Sequence, residues 1–118
     1  MSKQPIVLDI YNFINDIAPF ETAESWDNVG LIIGSTYASA SKVLLALDIT
    51  EEVVEEAIDG QFNLIMTHHP FIFSGIHAIT FEDRQGRLLL KLIQQNISVI
   101  AAHTNLDQSF KYGINRMI

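Results

Sequence analysis

A chain of 118 residues has the length of one domain, and its 48% hydrophobic and 18% charged residues are typical of a globular protein. The absence of cysteine excludes disulfides, thiolate metal sites and cysteine nucleophiles, and the net charge of −7 argues against nucleic acid as a partner. No apolar run approaches the roughly 20 residues that span a bilayer and no signal peptide is recognisable, so a cytoplasmic protein without membrane contact is expected.

The chain begins with a predicted helix and a short strand. Apolar residues recur at helical spacing from Val7 to Ile17, which predicts an α-helix that follows Pro5 and stops near Pro19. The run "NVGLIIG" then predicts a short buried strand that ends at about Gly34.

The middle of the chain alternates between strand and helix patterns. Residues 42–49, "KVLLALDI", form an apolar run of strand length. Thr50 can cap a helix whose first turn carries two glutamates, and Gly60 is expected to end that helix. The next strand is predicted at residues 63–67, "NLIMT".

The alternation continues to the third strand of this series. Thr80 and Asp83 are spaced as a weak capping box ahead of the helical run "RLLLKLIQQN", and "ISVIAA" at residues 97–102 predicts a further strand. Near-uniformly apolar strands alternating with helices are typical of an α/β fold. We expect residues 1–118 to form a single α/β domain with a mostly parallel sheet, built from successive βαβ units with helices on both faces.

Polar side chains follow the ends of three successive predicted strands. Asp48 ends the first of them, His68 and His69 end the second, and His103 and Asp107 follow the third. Ligands of open α/β sheets bind beyond the carboxyl ends of the strands, so these side chains are predicted to converge on one edge.

His68 and His69 are the strongest candidates for metal ligands. Two neutral imidazoles and a carboxylate such as Asp107 are a common set for zinc, iron(II), manganese or nickel. Neighbouring residues of a strand point to opposite faces, so the two histidines would not easily share one ion unless a turn at Pro70 reorients them, or each serves one of two ions. The pattern alone leaves a second interpretation open, in which the histidines are satisfied by backbone hydrogen bonds.

The motif "HTNLD" adds candidates with several open roles. His103 and Asn105 could be ligands or could orient Asp107 through hydrogen bonds, and Asn105 could equally belong to a hydrogen-bonded turn. Asp48 is interpreted as an aspartate at a strand–helix boundary rather than a site residue.

The stretch "ESWDNVGLIIG" gives a weaker signal. Trp26 is interpreted as a core anchor, because a large aromatic side chain is usually buried. Asp27 and Asn28 have the chemistry of an ordinary turn.

Taken together, "ESWDNVGLIIG", "ALDIT", "LIMTHHPFIF" and "AAHTNLD" resemble, in this order, the NIF-three-like family, which includes type-two GTP cyclohydrolase I homologues. The resemblance implies an α/β domain with a dinuclear divalent-metal centre and assembly into ring-shaped homohexamers. It also implies that His68 and His69 bind different metals and that Asp107 is a further ligand. His103 would lie near the centre without being a usual ligand.

The chain departs from the family pattern at its end. The remaining family ligands, a histidine and a bridging glutamate in an H-x-x-x-E arrangement, have no match here, and "QSFKYGINRMI" contains neither histidine nor acid. The chain is therefore expected to be either the N-terminal portion of a longer family chain, which is the preferred interpretation, or a naturally shortened member; in both cases its site is incomplete when taken alone.

The function implied by the resemblance is a metal-dependent hydrolase. A water activated by two divalent cations would attack a small, nucleotide-like substrate. GTP as that substrate depends on the resemblance alone, because the sequence has no P-loop or guanine-reading motif. The alternative is a non-catalytic metal-binding scaffold or adaptor that forms homo-oligomers.

Overall fold

The computed structural model describes residues 4–71 and 76–109, which form one four-stranded sheet and three complete helices. Residues 104–109 are helical as well. No helix in this described part is long and apolar enough to cross a bilayer. The elements are α1 (Val7–Ile17), a 3₁₀ turn (Phe20–Thr22), β1 (Gly30–Ile33), β2 (Val43–Ala46), α2 (Glu51–Asp59), β3 (Leu64–Thr67), α3 (Arg84–Gln94) and β4 (Ser98–Ala101).

The sheet has the strand order β1-β4-β3-β2 and is mostly parallel. β2 pairs with β3 and β3 with β4 in parallel, whereas β1 pairs with β4 in the antiparallel direction. The predicted α/β fold with a mostly parallel sheet is confirmed. The more detailed expectation, successive βαβ units with helices on both faces of the sheet, goes beyond this fold class and stays a prediction.

The helix ends follow the capping chemistry of the sequence, with one correction. The Thr50 hydroxyl accepts a hydrogen bond from the Val53 amide at 3.2 Å, and α2 ends before Gly60, as expected. α3 is capped by Asp83, whose carboxylate accepts from the Gly86 amide, so a capping box that begins at Thr80 is wrong. The Thr80 hydroxyl accepts from a backbone amide two residues on, which is a local turn.

The core divides into two clusters because successive strand residues point in opposite directions. Ile65 and Val99 pack with the buried residues of α2 and α3. Leu64 and Ile100 pack with Val7 and Ile14 of α1. Each fully buried side chain of this kind contributes about 1.5–3 kcal/mol, so the two clusters are the main source of stability.

Candidate metal centre

The register of the parallel strands aligns their carboxyl ends at one edge of the sheet. Ala46 of β2 lies opposite Thr67 of β3, and Thr67 lies opposite Ala101 of β4. The residues that immediately follow these three positions include Asp48, both adjacent histidines and His103, and they therefore lie at a common edge.

Three imidazoles meet there: those of His68, His69 and His103. Their ring centroids are 5.0–5.4 Å apart, and one nitrogen from each ring lies within 4.8 Å of the others. β3 ends at Thr67, so the two adjacent histidines are no longer in regular strand conformation and both rings reach the same group. The described residues form a three-histidine group that could hold a metal ion.

Each of the three rings has Nδ1 hydrogen-bonded to a protein oxygen. Carbonyl and carboxylate oxygens accept only, so each neutral ring carries its proton on Nδ1 and keeps the Nε2 lone pair for a ligand. Metal-binding histidines are usually held in this way. The pairs are His68 with the Ala102 carbonyl at 3.0 Å, His69 with Asp48 at 2.7 Å, and His103 with Asp27 at 3.2 Å.

Asp107 extends the group toward solvent. Its Oδ1 lies 3.6 Å from Nε2 of His68, and its side chain is 64% exposed. The two side chains would be able to hold one cation between them, with imidazole nitrogen and carboxylate oxygen as the donors.

The donors at this edge are imidazole nitrogens that lie within 4.8 Å of one another and the nearby Asp107 carboxylate. Nitrogen and carboxylate donors together suit zinc, iron, manganese or nickel.

Asp27 supports His103 from inside the protein. Its side chain is 0% exposed, whereas that of His103 is 19% exposed. Burial raises the pKa of Asp27, but hydrogen bonds from the Thr104 hydroxyl and amide, from His103 and from the Asn28 amide outweigh this effect and lower the pKa below its ordinary value. The carboxylate is thus kept ionised beside the imidazole.

Asn105 holds backbone together beneath the site. It is fully buried; its Nδ2 donates to the Ala18 carbonyl at 2.8 Å, and its Oδ1 accepts from the His103 amide at 3.0 Å. These contacts fit the interpretation of a hydrogen-bonded turn after β4. Any effect of Asn105 on a ligand would act through the position of His103.

Asp27 and Asp48 are the site residues that pattern reasoning passed over. Asp27 reaches the edge because β1 is antiparallel, with Gly30 opposite Ala101, so the segment before β1 arrives beside His103. Asp48 could have been found from its strand-end position, which places it next to His69. The expectation that Trp26 anchors the core is wrong: it is 57% exposed, and its ring packs edge-on against the His103 ring at 6.1 Å between centroids.

Comparison with known proteins points to one family. The family model described as Duf34/NIF3 (NGG1p interacting factor 3) matches residues 5–118. A Staphylococcus epidermidis protein named GTP cyclohydrolase 1 type 2 homolog is 46% identical over 112 residues, which cover 95% of this chain and 30% of that protein. The chain therefore spans about a third of the length of such relatives.

Solved structures agree with this match. Staphylococcus aureus protein SA1388 superposes with a TM-score of 0.85 at 46% identity, over 89% of this chain and 34% of that one. A Bacillus cereus protein related to NIF3 superposes with a TM-score of 0.84 at 40% identity, over 90% of this chain and 29% of that one. Both structures are therefore similar to this chain in fold and in sequence.

Proposed function

The chain belongs to the Duf34/NIF3 family, and on that premise we propose that its histidine cluster is the divalent-metal centre of a hydrolase-type enzyme for small, nucleotide-like substrates. One observation carries the metal part of the proposal: all three imidazoles have Nδ1 engaged by protein oxygens, which leaves the Nε2 lone pairs available at the site, those of His68 and His69 for metal. The substrate class is supported by the names of the relatives, which are GTP cyclohydrolase homologues.

The proposed ligands in this chain are His68, His69 and Asp107. His68 and His69 would serve different ions of a pair, and Asp107 would share the ion of His68, as their 3.6 Å separation allows. Bound divalent cations would supply an activated water as the nucleophile. Zinc, iron, manganese and nickel all suit this donor set.

The chain's own residues would do the positioning. The Ala102 carbonyl and the Asp48 carboxylate keep the first two rings oriented, with their protons on Nδ1. His103, held by Asp27, presents a third Nε2 that can accept a hydrogen bond or a proton at the site.

The finer parts of the proposal depend on the family resemblance. They are GTP as the substrate, a homohexameric ring, a cytoplasmic location, and a longer chain whose further residues complete the two-ion site. Successive βαβ units with helices on both faces belong to the same set.

The alternative is a metal-binding scaffold without catalysis. Leu45 and Leu47 on the edge strand β2 and its extension are 72% and 61% exposed, which favours a surface that another chain covers. Turnover of GTP by the metal-loaded full-length protein would distinguish the enzyme from the scaffold, because a scaffold gives none.

Calorimetric titration of metal-stripped protein with zinc tests the metal centre. The His69→Ala variant should bind zinc at least about tenfold more weakly than the wild type, because it lacks a proposed ligand. Binding should also weaken below about pH 6, since ligating imidazoles must lose a proton. His77→Ala is the matched control, because His77 is exposed and lies outside the clustered imidazoles. Equal affinity of His69→Ala and His77→Ala would contradict the proposal.

A further inference from the structure

The carboxylate of Asp27 is surrounded by hydrogen-bond donors. Oδ1 accepts from the Asn28 amide at 2.9 Å and faces Nδ1 of His103 at 3.2 Å. Oδ2 accepts from the amide and the hydroxyl of Thr104 at 3.0 and 2.6 Å. A buried carboxylate in this setting can be replaced only by another group that accepts on both sides.

The Thr104 hydroxyl is restricted by a third residue. Its oxygen accepts from the Glu24 amide at 2.8 Å, and its single proton is donated to the ionised Asp27. The Thr104 amide on the same side can only donate, so the Oδ2 side of Asp27 always faces at least one donor.

From this geometry we infer that Asp27 is a positioning residue that keeps His103 in the Nδ1-protonated tautomer, with the Nε2 lone pair available at the site. The inference rests on the proposed function only for the role of the Nε2 lone pair at the metal centre. The tautomer itself follows from the donors and acceptors around Asp27 in the folded chain.

An asparagine at position 27 should reverse the tautomer. Its amide oxygen should face Thr104, where the wild-type carboxylate accepts from both the amide and the hydroxyl, the latter at 2.6 Å. The NH₂ group then lies toward His103 and beside the Asn28 amide, with which it cannot hydrogen-bond. Nδ1 of His103 accepts from the NH₂ group in this orientation, and the neutral ring carries its proton on Nε2. An N–H group would point at the site in place of a lone pair, and would repel a cation bound there.

Asp48 offers a matched control, because it makes the equivalent contact with His69 in a looser setting. Its side chain is about half exposed, and among the described residues its second oxygen accepts no hydrogen bond. An asparagine at position 48 can rotate to keep its oxygen toward Nδ1 of His69. The tautomer of His69 is therefore expected to survive Asp48→Asn.

Long-range ¹H–¹⁵N correlation spectra of the metal-free protein at about pH 8, where imidazoles are ordinarily neutral, test the inference directly. In the wild type His103 should show a protonated Nδ1 and a bare Nε2, and in Asp27→Asn the two ¹⁵N shifts should exchange. His69 should keep its wild-type pattern in Asp48→Asn. A bare Nδ1 in wild-type His103, or an unchanged tautomer in folded Asp27→Asn, would overturn the inference.

If Asp27→Asn fails to fold, the spectrum of the wild type alone still tests the inference. A zinc titration of the same samples then separates this inference from the proposed function. Asp27→Asn should lower zinc affinity by about tenfold, the low end of the effect of contacts behind ligating residues, because His103 is not itself a proposed ligand but its Nε2–H would face the cation. A wild type with the expected tautomer and no zinc binding would refute the metal centre while leaving the role of Asp27 intact.

Discussion

At the scale of single residues, Asp27 is held by two opposing effects. Loss of hydration in the interior disfavours its charge, and hydrogen bonds from Thr104, His103 and the Asn28 amide favour it. The hydrogen bonds prevail, and the pKa falls below the ordinary 3.8. A carboxyl group with a lowered folded pKa stabilises the protein above its unfolded pKa, and this contribution is lost as the pH falls through the folded value.

We therefore predict that Asp27→Asn lowers the free energy of unfolding at pH 7 by about 1–3 kcal/mol, because the amide meets donors on both sides. The difference from the wild type should narrow as the pH falls below 3.8, because Asp27 of the unfolded wild-type chain then begins to take up a proton while the folded carboxylate is still ionised. Urea denaturation followed by circular dichroism between pH 7 and pH 3 measures both quantities.

Asp48→Asn serves as the comparison for that prediction. The wild-type Asp48 carboxylate is about half exposed, so its replacement by asparagine should change the free energy of unfolding by less than about 0.5 kcal/mol. A gap between wild type and Asp27→Asn that stays constant over the whole pH range would contradict the assignment of a stabilising, ionised Asp27.

The same residues show what a sequence can indicate about a site. His68, His69 and His103 could be placed at one edge because each follows a recognisable apolar strand. The contribution of Asp27 depends on a contact with residues 76 and 77 positions later in the chain. Local pattern carries no information about such a contact.

At the scale of elements, the strand β1 decides which residues support the site. A short apolar run such as "GLII" indicates a buried strand but not its direction, since both faces are covered in either case. The antiparallel pairing with β4 and a shift of register between Leu31 and Ile33 are set by tertiary contacts. The parallel strands were easier to predict, because helices connect them in sequence.

Gly30, the first residue of β1, and Gly34, which follows the strand, give a prediction about this element. Gly30 and Gly34 both have positive φ, at 101° and 111°. A Cβ at position 34 would overlap the buried side chain of Ser98 in β4, whereas one at position 30 would lie at an ordinary 3.7 Å from Tyr11. Gly30→Ala should therefore cost about 1–2 kcal/mol from backbone strain alone.

Gly34→Ala should cost about 1–3 kcal/mol more than that, because overpacking against β4 adds to the strain. Chemical denaturation of the two variants in parallel measures the difference. Equal losses would mean that β4 moves away from β1 at no cost, and that the close approach of Gly34 to Ser98 is not a constraint on the sheet.

At the scale of the whole molecule, the core and the candidate site are separate. The two hydrophobic clusters include residues from every strand and from α1, α2 and α3, but none of the site histidines and not Asp107. Folding driven by apolar burial does not need a metal, unlike that of small zinc-dependent domains. The mostly parallel sheet could be predicted for the same reason: the apolar runs that form the core dominate the sequence pattern.

We predict that the metal-stripped chain unfolds cooperatively in urea in the presence of a chelator, and that zinc adds stability on top of a complete fold. Binding to the native state alone raises the free energy of unfolding by about 2.7 kcal/mol when zinc is at 100 times its dissociation constant. This stabilisation by zinc should be lost in His68→Ala and kept in His77→Ala. Both variants should still unfold cooperatively when a chelator is present. Loss of the cooperative transition on chelation would show that metal is required for the fold, and an equal zinc increment in both variants would show that zinc binds elsewhere.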